Sequence, residues 1–265
     1  MKIIVPIKQV PETSKVKMDP FTGTMIRTGI ESIINPLDLY AIETAIRLKE
    51  QLGGTITIIS MGPPQAMKAI REAIAMGCDG GILLTDKAFS GADTWATAYT
   101  LSLAVHKLGS ADLILCGERA TDGDTGQVGP GMAAMLDLPL ITYVGKVESI
   151  VSGYLRAERL VEGGREFVSV KPPVLMTVVK EIAVPRLPTL RGILRAKEAV
   201  VNLWGPDDIS AEPDLIGLKG SPTRVVRVHH PKVTRKGEQI IVKDQSNLDQ
   251  AVERIMDFMK LRNIL

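Results

Sequence analysis

The sequence predicts an α/β fold: a parallel sheet with helices on both faces, followed by a C-terminal extension. Three observations predict it. Short apolar runs and amphipathic runs alternate four times in the first half of the chain. The apolar runs are continuous rather than alternating with polar residues, as strands covered on both faces should be. After residue 150 the texture changes to short β-like runs with glycine turns, then to a stretch without clear periodicity.

Residues 2–7 (KIIVPI) form the first strand. Residues 36–52 read as a helix: Leu37, Ala41, Ala45, Leu48 and Leu52 recur at three- and four-residue spacing, and Glu43 faces Arg47 one turn on. Residues 55–60 (TITIIS) are a second strand. Residues 63–76 are a second helix, with proline in its first turn and Gly77 just past its end. A third strand at 80–84 leads to a third helix at 94–108. Asp93 stands at its N-cap, Gly109 closes it, and Trp95, Ala98, Leu101, Val105 and Leu108 share one face. A fourth strand (112–116, DLILC), a fourth helix (126–136) and a fifth strand (140–147) follow.

Residues 154–160, 165–170 and 174–179 read as strands, with turns at Ser152-Gly153 and Gly163-Gly164 that make a hairpin. Residues 184–197 (VPRLPTLRGILRAK) are basic and carry two prolines. Residues 200–245 hold an acidic patch (Asp207, Asp208, Glu212, Asp214) and then a basic one (Arg224, Arg227, Lys232, Arg235, Lys236). An amphipathic helix over roughly 247–261 ends the chain. The expected organisation is an α/β domain over 1–198 and an arm over 199–265 that lies on another subunit.

Composition narrows the function. The 265 residues carry 32 Lys+Arg and 30 Asp+Glu, a net charge of +2, so nothing marks a nucleic-acid binder. Aromatics are only 4%, which disfavours a single-strand binder with stacking platforms, while 45% hydrophobic residues suffice for a large core. Two cysteines exclude a disulfide scaffold and a four-cysteine zinc site. Cys78 and Cys116 lie near strands and read as core thiols. His106 sits on a helix and His229-His230 beside a proline, too few ligands for a metal. No apolar run is long enough to span a membrane, and the start reads as a strand rather than a signal peptide, so the cytoplasm is the expected compartment.

In open α/β sheets ligands bind outside the carboxyl ends of the strands. That points to Lys8–Pro11, 60–62, 85–94 and, above all, 116–131 (CGERATDGDTGQVGPG). The glycines Gly117, Gly123, Gly126, Gly129 and Gly131 let backbone approach a ligand. A helix start offers N–H groups to phosphate. Asp122, Asp124, Thr125 and Gln127 can read hydroxyls and ring edges. The alternative is a glycine-rich turn with surface carboxylates. Likewise Asp93 and Thr94 can simply cap a helix, Asn35-Pro36 can simply start one, and Lys8 can simply be solvated. Together they surround one crevice, which favours a nucleotide.

Residues 157–177 (AERLVEGGREFVSVKPPVLMT) resemble the signature of electron-transfer flavoprotein beta subunits, with Arg159, Glu162, Gly163, Gly164, Glu166, Val168, Pro173 and Thr177 at the family spacing. The start (VPIKQVP), 35–50 (NPLDLYAIETAIRLKE), 75–79 (AMGCD) and 185–197 (PRLPTLRGILRAK) are similar too, so the resemblance spans nearly the whole chain. It implies a Rossmann-like domain paired with a flavin-bearing alpha subunit that exchanges electrons with acyl-CoA dehydrogenase-type partners. It implies nucleotide contacts at Pro6, Asn35, Met61 and the loop from Gly117 to Gly129, Val128 included. It places a partner-recognition loop at 185–197, with Leu190 as its apolar anchor. It implies no catalytic residue and no metal ligand.

Ordinary members bind AMP, and their loop typically has three consecutive acidic residues. This chain has Asp122-Gly123-Asp124-Thr125-Gly126-Gln127-Val128-Gly129, together with Gly91-Ala92-Asp93-Thr94. It is thereby similar to the electron-bifurcating branch, whose beta subunit holds FAD, oxidises NADH and sends a second electron to ferredoxin or flavodoxin. Asp93 and Thr94 would then stand near the flavin end.

Overall fold

Successive residues of a strand point to opposite faces, so an apolar run can serve two layers at once. The first strand does this: Ile3 and Val5 pack into one core, Ile4 into the other. The computed structural model describes residues 1–12, 17–18, 25–26, 31–224 and 240–264. Its elements are β1 (Lys2–Pro6), β2 (Gln9–Pro11), β3 (Lys17–Met18), β4 (Met25–Ile26), β5 (Ser32–Ile34), α1 (Asp38–Leu52), β6 (Thr55–Met61), α2 (Met67–Met76), β7 (Gly80–Leu84), α3 (Thr94–Leu108), β8 (Leu113–Gly117), α4 (Val128–Met135), β9 (Leu140–Val151), β10 (Tyr154–Val161), β11 (Gly164–Val170), β12 (Val174–Val178), α5 (Leu190–Glu198), β13 (Val201–Trp204) and α6 (Gln245–Leu261).

One nine-stranded sheet organises the first compact unit, Met1–Arg224, in the order β11-β10-β9-β12-β8-β1-β6-β7-β13. From β9 across to β13 every pairing is parallel. Helices α1, α2 and α5 cover one face, through Ala41, Ile42, Ile70, Ile74 and Ala196. Helices α3 and α4 cover the other, through Ala98, Leu101, Val105, Met132 and Ala133. This is the expected α/β architecture. The chain runs from β1 out through β6 and β7, then returns to place β8 on the other side of β1. The order therefore reverses between β1 and β8, where such sheets open a crevice.

The structure departs from the sequence reading in five places. The hairpin is a three-stranded antiparallel meander, because β9 runs on to Val151 and pairs with β10. Residues 190–198 are helix α5 rather than loop. Thr189, extended at φ -84° and ψ 157°, accepts the Gly192 N–H at 3.0 Å and caps it. Residues 201–204 are the edge strand β13, paired with β7, and the first compact unit runs on to Arg224. The stretch before Arg224 folds back on its own chain: Leu218 donates its N–H to the Ser90 carbonyl, and Ser221 and Thr223 bind Asp93. Helix α4 starts at Val128, not at 126, because Gly126 is left-handed at φ 64°. Trp95, expected on a core face, is 39% exposed and stacks on Tyr99.

The second unit, Val225–Leu265, contains α6, capped by the Asp244 carboxylate on the Asn247 N–H. Its Val252, Ile255, Phe258 and Leu261 are exposed. His229, His230 and the basic residues at 227–236 lie outside the described residues. Among the described residues no helix is long and apolar enough to cross a membrane.

Candidate functional site

The strand order puts the switch point, where such sheets open a crevice, at the carboxyl ends of β1 and β8, with β6 and β7 next in order beyond β1. Pro6 ends β1 and is buried; Met61 ends β6 and is half-buried; Gly117 ends β8. Gly117 is a packing requirement: a β-carbon there would stand 2.5 Å from Asp38 Oδ1 and 2.8 Å from the Leu37 carbonyl oxygen. The chain then turns over Ala120, whose carbonyl accepts the Asp124 N–H at 2.8 Å. Asp124 takes a left-handed φ of 55°, a conformation aspartate tolerates better than most residues.

Asn35 is wholly buried. Its side-chain amide donates to Asp38 Oδ1 and to the Arg119 carbonyl, both at 2.9 Å, and its oxygen accepts the Thr121 N–H at 3.1 Å. It is a strut between the start of α1 and the loop after β8. The loop's outer side chains, Asp122, Asp124, Thr125 and Gln127, are exposed. Arg119 pairs with Asp124 at 2.9 Å. Lys8 is not simply solvated: its ammonium meets Asp122 at 2.7 Å and joins the two lips of the crevice.

Helix α4 begins with Val128 and Gly129, whose N–H groups have no acceptor within the helix, as in any first turn. Gly129 itself turns inward, where a β-carbon would stand 2.9 Å from Thr177. It seats α4 on β12. By contrast, a β-carbon at Gly123 would meet nothing within 4 Å. The N-terminus of α3 adjoins this loop: Thr94 Oγ1 donates to Gln127 Oε1 at 3.4 Å. Asp93 is fully engaged, accepting from the Ala96 N–H at 3.0 Å and from the N–H and hydroxyl of Thr223 at 2.9 and 2.8 Å. Burial works against its charge, but those donors hold the carboxyl below the usual carboxylate range.

Pro6, Met61, Asp93, Thr94 and residues 117–129 thus fall on strand ends and helix starts at the carboxyl edge of the sheet, while the Asn35 side chain is engaged with protein partners. Leu190 lies elsewhere. Helix α5 packs against α2, with Arg195 donating to the carbonyls of Ile74 at 2.7 Å and Cys78 at 3.0 Å, at the end of α2 that leads into β7. That is the amino end of the strands, one sheet length from the crevice, about 15–20 Å.

A model of the electron transfer flavoprotein domain matches residues 22–209. The chain belongs to the electron transfer flavoprotein family. It is 48% identical over 266 residues to an electron transfer flavoprotein subunit beta of Thermoanaerobacterium thermosaccharolyticum, covering 100% of both chains. It is 45% identical over 241 residues to the CarD subunit of the caffeyl-CoA reductase-Etf complex of Acetobacterium woodii, covering 91% of this chain and 92% of that one. It is 40% identical over 262 residues to protein FixA of Azotobacter vinelandii, covering 95% and 92%.

In this electron transfer flavoprotein chain the sequence reading missed Asp38 and the Thr223 clasp. Asp38 looked like an ordinary first-turn acid, and Thr223 is 130 residues from Asp93. The two thiols are buried, and burial pushes Cys78 up to about 12 and Cys116 up as well, which leaves neither a ready nucleophile.

Proposed function

We propose that this chain is the beta subunit of a bifurcating electron transfer flavoprotein. It binds FAD between β1 and β8, and hydride comes from NADH. One electron passes through the FAD of an alpha subunit to an acyl-CoA dehydrogenase-type partner, the other to ferredoxin or flavodoxin. The observation that carries this reading is Gly123. Its backbone needs no glycine, since φ is not positive and a β-carbon would touch no protein atom within 4 Å. What the missing side chain keeps clear is the space and charge facing a ligand.

Several groups at the switch point support this reading. The free N–H groups of Val128 and Gly129 suit a pyrophosphate, and Pro130 follows them without one. Asp122 and Thr125 face outward, where ribose or ribityl hydroxyls would lie. Asp93, fixed by the three donors on its carboxylate, contributes a negative charge beside Thr94. Bound FAD would supply hydride acceptance and one-electron release; the protein supplies position and electrostatics. No side chain need act as a base. The distance from the crevice to Leu190 suits two separate electron exits, one at each end of the sheet. Electrons bound for an acyl-CoA partner accord with the caffeyl-CoA reductase-Etf complex of the relative.

The test is the cofactor released on denaturing the purified heterodimer. Two FAD per heterodimer supports the proposal. One FAD plus AMP favours the non-bifurcating alternative, in which AMP is structural. Gly123→Asp should exchange FAD for AMP; unchanged FAD in that variant removes the argument from Gly123.

A further inference from the structure

Asp38 opens α1 with its carboxylate beneath the crevice, not in water; the residue is 6% exposed. Donors from three stretches converge on it. They are the Lys8 N–H at 2.7 Å, from the exit of β1, the Asn35 amide at 2.9 Å, and the Gly117 N–H at the end of β8. Asn35 passes the connection on to Arg119 and Thr121. One carboxylate therefore ties together both strands of the switch point and the first turn of the loop.

We propose that Asp38 is the positioning residue of the nucleotide crevice: without touching the ligand, its ionised carboxylate holds the Lys8, Asn35 and Gly117 donors in register, and nucleotide affinity depends on that charge. The proposal rests on the nucleotide reading above. A carboxylate offers only acceptors. Protonation would set an O–H against one of three N–H groups and strand that donor in a dry site.

Burial pushes the carboxyl up to about 7, against the pull of the Lys8 N–H, the Asn35 amide, the Lys8 charge and the Gly117 N–H. The charged and titratable groups facing it are Lys8, whose ammonium also pairs with Asp122, and Cys116 on β8, a thiol kept protonated by burial and then by Asp38. The N-terminus of α1 favours the anion. Two pH effects follow, with opposite signs. The folded state holds this proton more tightly than the unfolded chain, so the group lowers stability as pH rises from the ordinary carboxylate range to about 7. Nucleotide affinity rises over the upper part of that range, as the ionised form becomes populated.

The test titrates FAD, and separately AMP, into heterodimer stripped of its beta-site nucleotide, from about pH 6 to about pH 8. Wild type should bind FAD about tenfold more tightly at the upper end, the change in ionised fraction across that interval. Asp38→Asn keeps the shape but turns an amide NH2 toward a donor. It should bind about tenfold more weakly, with no pH slope, and exchange the Lys8, Gly117 and Thr121 amide hydrogens faster. Should that variant fail to fold, the wild-type slope decides. Wild-type affinity that falls with rising pH would mean that Asp38 merely repels the pyrophosphate, and overturns the proposal. So would an Asp38→Asn chain with wild-type affinity and slope; the nucleotide reading would survive both. A wild type that takes up neither FAD nor AMP ends both readings.

Discussion

Gly192 of α5 lies so close to Ala75 of α2 that a β-carbon on it would stand 2.0 Å from the Ala75 carbonyl oxygen. The contact is locked from both sides. Arg195 of α5 binds the last carbonyls of α2, and Arg71 of α2 binds the Ala196 and Lys197 carbonyls that end α5. The helix that bears Leu190 is therefore a fixed platform. Gly192→Ala must push backbone apart and should cost roughly 1–3 kcal/mol. A lowered thermal midpoint checks this; an unchanged one contradicts the contact.

Arg186 ties the root of the same platform to α1. Its guanidinium meets Glu43 at 2.8 Å and also reaches Glu50, while Glu43 is only 2% exposed and also takes Arg47 at 2.7 Å. Burial would raise the Glu43 carboxyl, but Arg186 and Arg47 hold it below its usual value. A depressed carboxyl contributes stability above its unfolded pKa and loses it as pH falls through the folded one, so this contribution fades below about pH 4. Arg186→Ala leaves a buried charge half-paired and should cost about 3 kcal/mol near neutrality. The variant should then regain stability relative to wild type on acidification. Midpoints measured against pH check it, and parallel curves would contradict it.

Gly117 and Gly123 should respond in opposite ways. Gly117→Ala drives a methyl into Asp38 and Leu37, and should lower both stability and nucleotide content. A side chain at Gly123 meets no protein atom, so Gly123→Asp should leave the stability of the nucleotide-free protein within about 0.5 kcal/mol of wild type. Equal losses of stability in the two variants would contradict this geometry.

Leu190, the first residue of α5, is 75% exposed and Leu187 86%, with the N-cap Thr189 between them in sequence. Leu190→Ala should leave folding and cofactor content alone. On the proposed function, it should weaken docking of the proposed dehydrogenase-type partner by about 1–3 kcal/mol. Transfer rates measured across partner concentrations should show a raised KM with kcat retained. Equal curves for wild type and variant would remove the assignment.

The parallel strands were legible because residues such as Ile3–Ile4–Val5 serve two cores at once and so leave an unbroken apolar run. The glycine-rich crevice loop was legible from its place after such a run. Strand β13 was not: four residues at a sheet edge, with Asn202 and Leu203 exposed, carry no alternation to read. Helix α5 was overlooked although Thr189 after Pro188 is a fair start signal, because Gly192 looks like a breaker and its reason lies in α2. The Lys8–Asp122 and Asp93–Thr223 pairs join residues 114 and 130 apart, and local pattern says nothing about such partners. Asp38 fits an exposed first turn equally well; only β8, arriving at Gly117, buries it.

An anaerobic titration of the heterodimer with NADH decides whether this chain carries a flavin of its own. Two flavin equivalents are expected, with the one in the β1–β8 crevice reduced directly by NADH. A single flavin equivalent, or two that NADH leaves oxidised, would contradict the bifurcating assignment while leaving membership of the electron transfer flavoprotein family in place.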